Sequence, residues 1–154
     1  MWQRIQTVYL ILAIIACTIC LCLPIAEILP KDLGASSTVF NLWTITPDGS
    51  KEFPWWSIVN FVILLFVCTI GTGTIFLYKT RKKQAKLCSA AAVLTIIWMI
   101  IFGVCAYSGL IEHNGDMIVK YAACLPFVAM VFFILARRAI LKDEALVRSM
   151  DRIR

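Results

Sequence analysis

The chain has 154 residues, of which 61% are hydrophobic and 16% charged. Soluble domains run at about 45–50% apolar and about 25% charged, so a soluble enzyme, a disordered tail and a nucleic-acid-binding module are all excluded. Its 15 Lys and Arg against 9 Asp and Glu leave a net +6, which in so apolar a chain points to membrane topology rather than to a polyanion partner.

Four apolar stretches stand out, at residues 5–25, 55–78, 87–109 and 118–136. At about 1.5 Å rise per residue each covers roughly the 30 Å of a bilayer's hydrocarbon core. Only helices satisfy their own backbone inside lipid, and strand-period alternation is absent. The fold class is therefore an all-α membrane protein: one domain over 1–154, four transmembrane helices, and a small β-hairpin-like first external loop.

Span one follows Arg4. Its start and Ile14-Ile15-Ala16-Cys17 loosely resemble a cleavable leader, but the apolar run continues past Cys17, which predicts a retained helix. The loop at 26–54 is the one sizeable segment outside the membrane. Thr38 to Thr46 is rich in β-formers, and Pro47-Asp48-Gly49-Ser50 has turn chemistry, with glycine free to take positive φ. Isolated hairpins are marginal in water, so this one is expected to rest on helix ends or on a partner.

Trp55-Trp56 opens span two at the interface, where amphipathic rings are favoured. Gly71 and Gly73 near its far end should lie level with Ser89 and Ala92 of antiparallel span three. Small residues let backbones approach closely in lipid, so tight α–α contact is expected there. Between these spans runs a basic link with Lys79, Arg81, Lys82, Lys83 and Lys86. Trp98 sits mid-span, and its indole N–H calls for an acceptor, expected from a threonine or a carbonyl of a neighbouring helix.

Glu112-His113-Asn114-Gly115-Asp116 forms a short second loop. A metal site needs three or four preorganised ligands, so the lone His113 between two acids reads as a solvated turn. After span four the tail at 137–154 is amphipathic. Ile140, Val147, Met150 and Ile153 fall near one face, and Glu144 precedes Arg148 at i,i+4. It either prolongs span four or lies on the inner surface, its cations towards anionic headgroups at about 1 kcal/mol each.

The charges set a direction. Arg4, the basic link and the tail hold all the Lys and Arg except Lys31, Lys51 and Lys120, and the opposite side carries Glu27, Asp32, Asp48, Glu52, Glu112 and Asp116. The positive-inside rule places both termini and the link in the cytoplasm.

No Asp, Glu, Lys, Arg or His lies well inside a span; Lys120 sits at a rim, where it can snorkel. Proton relays, ion-coupled transporters and voltage sensors expose such groups along a membrane path. Phosphate cradles, paired carboxylates and a Ser/His/Asp set are also missing. Cysteine is the one redox-capable feature. Cys17 and Cys20 share a helix face, and Cys20, Cys22, Cys105 and Cys124 fall towards the outer third. At the level of architecture this resembles the bacterial disulfide-generating and vitamin K epoxide reductase-like proteins, although both external loops lack cysteine.

The two ends carry a further resemblance. The opening Met1-Trp2-Gln3-Arg4-Ile5-Gln6 and the closing run from Arg138 to Arg154, with four spans and a Pro-Asp-Gly loop between them, look like a family of small uncharacterised membrane proteins of Bacteroidetes. That resemblance implies a bacterial inner-membrane location and supplies no catalytic residues. A non-catalytic accessory or scaffold subunit of a larger membrane complex is the expectation. Its neighbours are the lipid bilayer and other membrane proteins or copies of itself; nucleic acid, cofactors and metals are not expected. Arg4, Lys142, Arg148, Asp151 and Arg152 form the candidate partner surface. The alternatives are a thiol or quinone redox protein using Cys17, Cys20, Cys22, Cys105 and Cys124, and a small lipid- or substrate-binding transporter subunit with a ligand beside Trp98.

Overall fold

The computed structural model describes residues 3–29, 35–77, 80–112 and 116–151. In chain order these form α1 (Gln3–Cys22), β1 (Ala26–Leu29), β2 (Ser37–Val39), β3 (Thr44–Ile45), β4 (Lys51–Glu52), α2 (Trp55–Phe76), α3 (Arg81–Glu112), β5 (Asp116–Val119), a 3-10 turn at Tyr121–Cys124, and α4 (Leu125–Asp151). All four helices are long and apolar enough to cross a membrane. Each packs on two others, α1 on α2 and α4, α3 on α2 and α4, which closes a square bundle.

Hydropathy does not reveal which helix face looks inward, because the outside is apolar too. Size does. The buried stripe of α2 is Ser57, Asn60, Leu64, Val67, Gly71 and Thr74, spaced alternately three and four residues. In α4 it is Ala129, Phe133, Ala136 and Ile140. Ile58, Val62, Leu65 and Phe66 of α2 lie exposed. Small and weakly polar residues thus recur in the seams, interleaved with large ones such as Leu64 and Phe133, whereas the outward positions named carry only large apolar side chains, as expected where association rests on close packing rather than on escape from water.

The glycines show how local this is. A Cβ at Gly71 would come within 2.9 Å of Ile14 Cγ1 and 3.4 Å of Phe133 Cε1. Gly71 therefore lets α2 approach α1 and α4 closely. A Cβ at Gly73 would meet nothing within 4 Å, so the expected tight contact there is corrected: Gly73 falls between Gly71 and Thr74 of the inward stripe and is turned off it. Ala92 is buried, whereas Ser89 is half-buried and donates to Ala85 O of its own helix at 3.2 Å.

Span one ends at Cys22, ahead of Pro24, because a residue preceding proline is driven out of the helical region. The larger revision concerns span four. Residues 118–120 are not membrane helix: Asp116–Val119 is a strand, and the helical stretch long enough to span begins at Tyr121, with a 3-10 turn at Tyr121–Cys124 leading into α4. The expected hairpin is likewise part of a larger element, a five-stranded antiparallel sheet in the order β4-β3-β2-β1-β5. Ala26 opposes both Val39 and Val119, so β1 is covered on both edges by strands from two different loops. Pairing with β1 draws the apolar Met117-Ile118-Val119 out of the helical register, and three or more strands are what a free-standing hairpin lacks. The turn before β4 is as read from its residues: Gly49 has φ 78°, and its N–H donates to Thr46 O at 2.9 Å.

α4 then runs unbroken through the tail to Asp151. Pro126 falls in its first turn, where proline is tolerated, and no glycine or proline follows. The tail therefore prolongs the span.

Candidate functional site

At the basic end, α1, α3 and α4 are joined by polar groups. Gln6 Nε2 donates to the Asp143 carboxylate. Arg81 Nη1 donates to the main-chain carbonyl of Asp143 at 3.2 Å, and Gln84 Nε2 donates to Thr74 O of α2 at 3.1 Å. Lys82 Nζ lies 3.8 Å from Glu144 Oε1, an open pair that contributes little. Thr80, Arg81, Lys82, Lys83 and Glu144 line an open groove of about 430 Å³.

Of the candidate partner surface, Lys142 is exposed on α4. Arg4, Arg148 and Asp151 belong to helices whose backbone alone is described there, and Arg152 lies outside the described residues. The contacts that tie this end together come from Gln6, Arg81 and Asp143. Asp143-Glu144, an acid pair inside a basic tail, is the sequence signal for them.

At the opposite end the sheet sits over the helix ends. Asn41 Nδ2 donates to Cys20 O at 2.7 Å. That carbonyl belongs to the last turn of α1, where helices leave such groups without intrahelical partners. Asn41 thus caps α1 from the loop, and the chain turns around it, Phe40 N–H donating to Trp43 O at 2.8 Å. Glu27 on β1 meets Lys120 Nζ at 2.9 Å and accepts from Ser36 Oγ at 2.7 Å. Lys120 first, then Ser36, hold its carboxyl below the usual glutamate range.

The candidate redox cysteines do not form one set. Cys17 and Cys20 are buried, Cys105 is half-buried, and Cys22 and Cys124 are exposed. Cys17 pairs thiol to thiol with Cys68 of α2, which the CxxC spacing does not single out. None of the seven cysteines is in a disulfide. Among the described residues no three metal-ligating side chains converge; His113 lies outside them.

Spacing along the chain also does not single out Ser57 and Asn60. Both are fully buried, as is Trp98, and none of their polar side-chain atoms has a hydrogen-bond partner in the protein. The acceptor expected for Trp98 from a neighbouring helix is not there. Trp98 instead stacks on Phe102, ring centroids 5.3 Å apart.

Four helices long and apolar enough to cross a bilayer, with polar contacts gathered at both ends of the bundle, mark a multi-pass membrane protein. The chain belongs to the family described as a domain of unknown function (DUF4293), whose model matches residues 2–153. No curated protein matches it.

Proposed function

We propose that this protein is a non-catalytic accessory or scaffold subunit of a larger complex in the bacterial inner membrane, with both termini cytoplasmic. One observation carries this reading. α4 continues past the membrane-spanning stretch as a straight helix braced at its root by Gln6 and Arg81. It presents Leu141, Leu146 and Val147 exposed among charged residues. A stop-transfer anchor needs only a few cations; a braced helix with exposed aliphatic side chains among its charges suits docking. The groove beside it, lined by Arg81, Lys82 and Lys83, matches the charge of anionic headgroups at the same boundary.

Deletion of residues 145–154 keeps the brace and removes the projecting helix. Membrane insertion should persist, while crosslinked neighbours recovered with the full-length protein should be lost. An unchanged set of neighbours sinks the docking role. Reporter fusions at both ends test the orientation independently.

A thiol redox role is the second reading, and the Cys17–Cys68 pair is its support. A native Cys17–Cys68 disulfide, seen by mass spectrometry after thiol labelling, would favour it.

A further inference from the structure

The spans are economical with polar groups. The hydroxyls of Thr18, Thr69, Thr72, Thr74, Ser89 and Thr95 all donate back to a carbonyl one turn earlier in their own helix. That local bond satisfies a hydroxyl in lipid without help from a neighbour. Ser57 stands in the first turn of α2, where the residue four earlier, Phe53, lies outside the helix, and its hydroxyl makes no such bond. Asn60 is larger and has no equivalent local bond. Its amide carries two N–H donors and an acceptor oxygen, none of them bonded within the protein.

Trp98 stands opposite. The Gln84–Thr74 bond fixes the antiparallel register of α2 and α3. From Thr74 to Asn60, and from Gln84 to Trp98, the rise is about 21 Å in each case. Asn60 and Trp98 therefore lie at one level, both on inward stripes, with Ser57 one turn from Asn60 on the same face. An unmet buried amide, hydroxyl and indole N–H are each costly, and three such groups gathered within one turn of a common level need a common partner.

We propose that Ser57, Asn60 and Trp98 bind a neutral hydroxyl-bearing guest in the α2–α3 seam. The shell dictates its chemistry. Trp98 only donates, so the guest must accept; Asn60 Oδ1 only accepts, so the guest must also donate. A hydroxyl does both. An ion is excluded, because α2, α3 between Lys86 and Glu112, and α1 beyond Arg4 carry no Asp, Glu, Lys, Arg or His to pair with it, and an unpaired buried charge is costly. Bound water and the hydroxyl of a small organic molecule share this chemistry. The inference is independent of the docking role proposed above.

The test is NMR of the full-length protein in mild detergent with ¹⁵N-labelled tryptophan, Trp98→Phe assigning the resonance. A cross-peak from the Trp98 indole N–H to water identifies water as the guest. A cross-peak to protons of a co-purified molecule identifies an organic one. Either supports the site. Asn60→Leu gives a second readout: with a guest bound, the melting midpoint should fall by several degrees and the Trp98 resonance should shift. No cross-peak to any guest, together with a higher melting midpoint in Asn60→Leu, overturns the proposal, since removal of an unsatisfied amide then stabilises. A direct Asn60–Trp98 hydrogen bond seen in the spectrum overturns it as well.

Discussion

The two ends of this bundle solve the same problem differently. At the basic end polar side chains find partners across helices: Gln6 with Asp143, Arg81 with the Asp143 carbonyl, Gln84 with Thr74. At the sheet end a single asparagine side chain caps α1, and among the described residues the buried side-chain polar atoms without a protein partner lie towards this end, on Asn41, Trp43, Thr44, Ser57, Asn60 and Trp98. The basic end is thus a joint that fixes helix positions. The sheet end has hydrogen-bonding capacity to spare, which suits a region that receives something.

The sharpest tests set one residue against its counterpart. Towards the basic end, Gly71→Leu should be the most damaging change, because Ile14 and Phe133 already touch the space its side chain needs. Overpacking of this kind costs about 3 kcal/mol, read as loss of the monodisperse peak in detergent. Gly73→Leu should leave that peak intact; equal damage from both would show that the register is wrong.

Next in size is Asn41→Ala. It strips the Cys20 carbonyl of its cap in a buried setting, at about 2 kcal/mol, seen as a lower melting midpoint. Gln6→Ala at the other end should cost less, about 1 kcal/mol, because Asp143 lies partly open to solvent. The reverse order would break the contrast between a shared joint and a single cap.

The smallest effect is a pH dependence confined to the sheet. The Glu27 carboxyl titrates lower folded than unfolded. Its contribution is therefore complete above the unfolded pKa and is lost as pH falls through the folded one. Amide exchange in β1 and β5, corrected for the intrinsic rate, should speed up on acidification, and Glu27→Gln should abolish the change.

Much of this architecture was legible without coordinates. Length and hydropathy sufficed for four helices, since lipid demands long apolar segments with internally satisfied backbones. Pro47-Asp48-Gly49 was readable as a turn for its local chemistry. The start of span four at residue 118 is not where the helix begins, because Met117-Ile118-Val119 is as apolar as a membrane span and only pairing with Ala26–Leu29 makes it a strand. Cys68, Asn41 and Asn60 gave no signal, because their roles depend on what stands across from them.

The amino-acid order alone determined how many segments enter lipid and which end of the bundle is cationic, for these are properties each stretch carries by itself. The tertiary structure decided which face of each helix turns inward, which glycine is in contact, where the fourth helix begins, and which polar atoms meet. Bundle interior and lipid are almost equally apolar, so hydropathy cannot tell them apart; the choice falls to side-chain size and to pairings between residues far apart in the chain.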